Sequence, residues 1–252
     1  MAAEKTVLLE ASGLTMTYSG CPRPALRNVS FTLSNGEFCG LIGPNGAGKT
    51  TLLSILTTLL VPGQGQLRIN GMDVLTTPRQ VLPAIGYVPQ DLALYDRLTG
   101  RENLMFFGRM CGLDGRLLRQ RAVQYLEMFG LKDRADQKVA HYSGGMKRRI
   151  NLIAGLLHQP RLLFLDEPTV GVDAQSRNLI LHQLEALNRQ GMTILYSTHY
   201  FEEVEHRCHR VFVIDAGEII AAGAPRQLIA ELDGCASLTD FFLRKTGAQL
   251  RD

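Results

Sequence analysis

The segment GPNGAGKT, Gly43 to Thr50, follows the apolar run FCGLI and opens the run KTTLLSILTTLL. It fits G-x-x-x-x-G-K-[ST], a pattern in which every part serves a phosphate group. Glycines let backbone N–H groups turn inward around a β-phosphate, the helix start supplies partial positive charge, and Lys49 adds a full one. Thr50 is then placed to ligate Mg2+. A second strand end carries acids. LLFLDEP finishes in Asp166, suited to hold Mg2+ through a water, and Glu167, suited to orient and deprotonate an attacking water. General-base catalysis of that kind contributes typically about 10²–10⁴-fold in rate, and Pro168 then ends the strand. IGYVPQ and TILYSTH also end in polar side chains. With both strands in one sheet, Gln90 helps to ligate Mg2+ or the water, and His199 hydrogen-bonds the γ-phosphate. Upstream, Tyr18 in LTMTYSG offers an aromatic face to adenine, a contact worth about 1–3 kcal/mol by analogy with base stacking elsewhere.

These groups need strands that end at a common edge. FCGLIG, RLLFLD, MTILYSTH and RVFVID are apolar on both faces, which suits a parallel sheet covered by helices and predicts an α/β fold. Helices are expected at Lys49 to Leu60, Gln175 to Arg189 and Tyr200 to His206, each near a loop at a strand's C-terminal end, where open α/β sheets bind ligands. Between Gln90 and Gln159 the runs LTGRENLMFFGRM and LLRQRAVQYLEMFG have helical apolar spacing and nothing reads as a strand, so a helical subdomain is inserted there. The single domain 1–252 then divides into a core of 1–90 and 160–224, a helical part 91–159, and a tail 225–252. That tail holds two closing helices, the second with Ser237 as N-cap.

Composition narrows the class. The 252 residues are 45% hydrophobic and 20% charged, with no tryptophan, as in ordinary globular proteins. The apolar run TTLLSILTTLLVPGQGQL is broken by Pro62 and Gly63 before it could cross a bilayer. The start MAAEKTVLLEASG, with Glu4 and Glu10, lacks the basic opening of a signal peptide. Five scattered cysteines suit reduced thiols in the cytosol. A net charge of +3 is too mild to argue for nucleic acid, although Lys147, Arg148 and Arg149 form a basic run. HRCH, His206 to His209, matches no usual zinc spacing and reads as a helix end. GQGQLR, from Gly63, lacks the third glycine of a dinucleotide fingerprint.

One further stretch, HYSGGMKRR, His141 to Arg149, is a second glycine-rich helix start, but it has no lysine placed to hold a nucleotide of its own. With GPNGAGKT, YSGGM, LLFLDEP and STH in this order, the chain resembles the nucleotide-binding subunit of ATP-binding cassette (ABC) transporters over nearly its whole length. The resemblance implies a P-loop NTPase with a RecA-like core, a mixed and mainly parallel sheet, and an inserted helical subdomain. It further implies ATP and Mg2+ as ligands, and a head-to-tail dimer, homodimeric or heterodimeric, with two ATP molecules sandwiched between subunits. By the same resemblance Tyr18 is the adenine-stacking aromatic. Gly43, Pro44, Asn45, Gly46, Ala47, Gly48, Lys49, Thr50 and Thr51 form the Walker A loop, and Gln90 is the Q-loop residue. Asp166 is the Walker B carboxylate, Glu167 the catalytic base, Asp173 the D-loop acid and His199 the switch histidine. Ser143, Gly144 and Gly145 close over the nucleotide held by the partner's Lys49.

The family's commonest signature begins with leucine and ends with glutamine, where this chain has Tyr142 and Met146. That form, followed by KRR, looks like the branch of daunorubicin-type drug exporters and the lipid-exporting A subfamily, and the tail SLTDFFLRKTG is similar to the end of the bacterial drug-export ATPases. Gly100 stands where that branch often has a β-branched residue, and Ala174 where proline often follows the D-loop acid. The function implied is ATP hydrolysis driving export by a separate membrane permease, from the cytoplasmic face of the membrane and without nucleic acid. An import ATPase, or a soluble ABC protein acting on ribosomes or DNA, are the alternatives. The expected docking surface is QDLALYDRLTG, where Leu92, Leu94 and Tyr95 are apolar for a surface loop.

Overall fold

Runs apolar on both faces become strands without an exposed residue: Phe38–Ile42, Leu162–Asp166 and Thr193–Thr198 are buried throughout, as strands covered on both sides must be. The computed structural model describes residues 6–247. Glu4 and the two ends of the expected domain, residues 1–5 and 248–252, lie outside them. In chain order the elements are β1 (Val7–Met16), β2 (Leu26–Ser34), β3 (Phe38–Ile42), α1 (Lys49–Leu56), β4 (Gln64–Ile69), β5 (Met72–Asp73), α2 (Pro78–Val81) and β6 (Ile85–Val88). They continue with α3 (Gly100–Met110), α4 (Gly115–Met128), α5 (Gly144–Leu156), β7 (Leu162–Asp166), α6 (Ala174–Arg189), β8 (Thr193–Thr198), α7 (Phe201–Glu205), β9 (Arg210–Asp215), β10 (Glu218–Gly223), α8 (Pro225–Ala230) and α9 (Leu238–Thr246). Parallel and antiparallel strands mixed with helices give the expected α/β class.

Contacts divide the chain into two compact units, one running up to Val81 and again from Thr193, the other Leu82–Met192. Strands β6 and β7 therefore group with helices α3 to α6. In the first unit the strand order β10-β9-β3-β8 is parallel except for β10, which pairs antiparallel with β9. A second, antiparallel set runs β2-β1-β4-β5. GQGQLR is the turn and start of β4: a Cβ on Gly65, at φ 102°, would press on the backbone of Gly13.

Helix α1 ends at Leu56, four residues short of the expected Leu60. The Thr57 hydroxyl donates back to the Leu53 carbonyl at 2.8 Å, and Thr58 turns left-handed at φ 65°. The next two N–H groups both reach the Ser54 carbonyl, so the orphan carbonyls are satisfied in a tight stop just ahead of Pro62. Helices α6 and α7 begin and end within one residue of expectation. Ser237 caps α9, its hydroxyl accepting from Asp240 N–H at 3.1 Å.

In the second unit β6 and β7 are parallel, and helices α3, α4 and α5 bury Leu104, Leu118, Leu126, Ile150 and Ile153. Thr99 and Glu102 form a reciprocal capping box at the start of α3, satisfying two orphan N–H groups at once. No regular strand lies between Gln90 and Gln159 among the described residues.

Candidate functional site

In each unit a pair of parallel strands delivers candidate residues to one edge. In the first unit Ile42 of β3 sits beside Thr198 of β8, so the phosphate loop and His199 leave neighbouring strands at the same edge. Glycine sets the loop's path. A Cβ on Gly43 would collide with the Ile214 carbonyl oxygen, and Gly46 and Gly48 sit at φ 75° and 105°, where a side chain is strained. Around Gly46 the space is open, as an incoming phosphate requires. Lys49, only 5% exposed, curls so that Nζ donates to the carbonyls of Gly43 at 2.8 Å and Pro44 at 3.0 Å. Its charge is thus held against the loop backbone. The Tyr18 hydroxyl lies 3.1 Å from Thr51 Oγ1 while the residue stays 40% exposed, which places a partly open ring beside the first turn of α1.

No pattern in the sequence singles out the groups that fix the His199 turn. Buried Glu203 accepts from Tyr196 Oη at 2.6 Å and Thr198 Oγ1 at 3.2 Å, and Tyr200 N–H donates to Thr198 Oγ1 at 2.9 Å. The imidazole itself packs on Tyr200, ring centres 4.1 Å apart. HRCH ends α7 as expected, with His209 Nδ1 accepting from Phe38 N–H at 3.0 Å.

In the second unit Val88 sits beside Leu165, so Gln90 and the Asp166–Glu167 pair also leave neighbouring strands together. Both acids are buried, at 0% and 5% exposure. Glu167 adopts φ 48°, a left-handed conformation costing a non-glycine residue about 1–3 kcal/mol and concentrated at functional sites. Burial, and then the nearby Asp166 and Asp91 charges, push the Tyr87 phenol up to about 12, so it stays protonated beside Asp166. The Asp173 carboxylate caps α6 by accepting from Ser176 N–H at 2.9 Å, and that bonding holds its carboxyl below the usual range. Ala174 occupies the first helical position, where proline is favoured because its missing N–H costs nothing.

Ser143 caps α5, its hydroxyl accepting from Met146 N–H at 3.2 Å. Ser143 and Gly144 are exposed, whereas Gly145 is buried. A Cβ on Gly145 would collide with Ser176 Oγ, while one on Gly144 would meet only the Gly171 carbonyl, at 3.6 Å. Three residues alike in the sequence thus divide into two that face outward and one that packs against α6. The departures Tyr142 and Gly100 are a matched pair: a Cβ on Gly100 would strike the Tyr142 hydroxyl, which donates to the Arg134 carbonyl at 2.7 Å.

Lys147 pairs with Asp96 at 2.8 Å, and Arg149 donates to the Phe129 carbonyl at 2.9 Å, so these two cations of the basic run serve the fold. Asn103, fully buried, accepts from Tyr95 N–H at 2.8 Å and donates to the carbonyls of Tyr95 and Thr99. It pins the apolar loop Leu92–Tyr95, and its only sequence signal is an amide inside the apolar run of LTGRENL. Among the described residues no group of three His, Cys, Asp or Glu side chains forms a metal cage. In the second unit Gln90 and Asp166, which leave neighbouring strands, are hard oxygen donors of the kind Mg2+ takes together with phosphates and water.

The family model for ABC transporters matches residues 26–170. The chain belongs to the ABC transporter family. It is 45% identical to the linearmycin resistance ATP-binding protein of Bacillus subtilis (strain 168), over 90% of this chain and 72% of the relative. It is 41% identical to the daunorubicin resistance ATP-binding protein of Streptomyces coeruleorubidus, over 89% of this chain and 71% of that one. Its fold is similar to a dimeric ATP-binding cassette in a post-hydrolysis state bound to ADP and Pi. The TM-score is 0.78 at 27% identity, over 86% of this chain and 98% of the other. This ABC protein therefore has the P-loop NTPase fold, binds ATP and is an ATPase. ABC ATPase subunits in general dimerise and work with membrane permeases. No helix among the described residues is long and apolar enough to cross a membrane.

Proposed function

We propose that the chain is the ATPase subunit of an export-type transporter, acting as a head-to-tail dimer on the cytoplasmic face of the membrane and driving a separate permease. The relatives named for resistance to linearmycin and daunorubicin support export. The exposed start of α5 supports the dimer most: Ser143 and Gly144 offer a helix N-terminus that suits an anion, yet their own chain already has a phosphate loop.

In this reading Gly43 to Thr51 cradles the α- and β-phosphates, Lys49 and His199 bind the γ-phosphate, and Tyr18 stacks on adenine. Thr50, Asp166 and Gln90 would hold Mg2+, which when bound neutralises phosphate charge. Glu167 takes a proton from the attacking water, and its strained backbone fixes the carboxylate's aim. Ser143 and Gly144 of one subunit close over the other's γ-phosphate, with Gly145 packed behind them against α6 and Asp173 beside them. The permease docks on Leu92, Leu94 and Tyr95, continued by Phe106 and Met110, of which Tyr95 is 50% and Met110 71% exposed. Leu94→Asp should leave ATP hydrolysis by the isolated subunit intact while abolishing recruitment to permease-containing membranes and transport. Membrane recruitment and transport at normal levels in that variant would remove the docking assignment.

A further inference from the structure

The basic run Lys147–Arg149 looks in the sequence like a surface patch, yet its middle residue is 93% shielded, Arg148 having 7% exposure. One guanidinium nitrogen donates to the Gln90 carbonyl at 2.6 Å and the other to the Val170 carbonyl at 3.3 Å. Gln90 ends the β6 edge, and Val170 lies between Glu167 and Asp173, in the turn closed by Val170 N–H donating to the Glu167 carbonyl at 3.3 Å. Arg148 itself lies five residues after Ser143, on the first turns of α5. One planar, permanently charged fork therefore ties three segments together: the helix start offered to the partner's nucleotide, the Gln90 turn, and the turn carrying the buried acids. Its two acceptors are backbone carbonyls, which substitutions in those loops cannot remove, and a lysine's single ammonium lacks the fork that spans both.

We propose that Arg148 is a positioning residue that transmits closure of the helix start on the partner's nucleotide to Gln90 and Glu167, so that hydrolysis in one site is gated by engagement with the other. This rests on the sandwich-dimer reading above. When a nucleotide draws the N-terminus of α5, the guanidinium carries that displacement to both carbonyls. Lys147, paired with Asp96, extends the same strap to the apolar docking loop.

The test is a double-mutant cycle on steady-state ATP hydrolysis with Ser143→Ala and Arg148→Lys. Arg148→Lys should lower kcat about tenfold or more through loss of a charge-assisted bond, with KM for ATP within about twofold. The double variant should be no slower than the slower single one, because both changes cut one line of transmission. Costs that multiply would overturn the proposal, leaving Arg148 a packing residue, and so would a normal kcat. Should Arg148→Lys not fold, a measurement that keeps Arg148 intact decides. In the Glu167→Gln background with ATP, amide exchange over residues 90–96 should slow when the dimer forms and stay fast when Ser143→Arg prevents it. Equal protection in both overturns the proposal. Failure of Glu167→Gln alone to dimerise with ATP would instead overturn the sandwich reading, which separates the two.

Discussion

The phosphate loop and the start of α5 are both glycine-rich helix starts, and they differ in what completes them. The first carries its own cation, Lys49, bonded to the loop's own carbonyls, and two of its glycines, Gly46 and Gly48, are required by the loop's own left-handed backbone. The second has exposed Ser143 and Gly144 and uses its nearby cations, Lys147 to Arg149, on the surrounding fold. A binding site that is complete in one chain concentrates its requirements locally. A half-site distributes them, keeping an open face for a partner and a packed face for its own subunit.

The comparison can be broken most severely at the acids that accompany the second start. Glu167→Gln should reduce ATP turnover by about 10²–10⁴-fold with ATP affinity preserved, measured by phosphate release and by nucleotide titration; normal turnover would remove the general-base assignment. At the first start, Lys49→Ala removes a charge-assisted contact. ATP affinity should fall about 10–100-fold, since such bonds are worth about 1.5–3 kcal/mol, and unchanged affinity would count against the phosphate-loop reading. The smallest and sharpest test lies within the second start. Gly145→Ala forces a Cβ onto Ser176 and should cost about 1–3 kcal/mol of stability by overpacking. Gly144→Ala meets open surface and should change stability by less than about 0.5 kcal/mol. Denaturant unfolding of the two variants checks this, and equal costs would erase the distinction between outward and packed glycines.

The same contrast explains what the sequence made legible. The fold class and the strand ends follow from continuous apolar runs, because burial on both faces leaves that mark in composition. The phosphate loop follows because its glycines answer to local backbone sterics. Glu167's left-handed backbone, the Glu203 clasp on the His199 turn and the Arg148 fork left no pattern, and the Asn103 pin left only an amide inside an apolar run. The Arg148 fork depends on partners brought close only by folding, since Arg148 and Gln90 are 58 residues apart in the chain, whereas the Glu203 and Asn103 contacts are local but answer to no repeating spacing. The overlong expectation for α1 failed for a local reason, since helical apolar spacing continues through Leu60 while Thr58 turns left-handed.

In the proposed dimer the α5 start of one subunit completes the nucleotide site of another. Sedimentation of the Glu167→Gln chain with and without ATP, alone and combined with Ser143→Arg, tests it most directly. The single variant should form an ATP-dependent dimer, and the double variant should remain a monomer that still binds ATP with unaltered affinity. A double variant that dimerises as readily as the single one would contradict it.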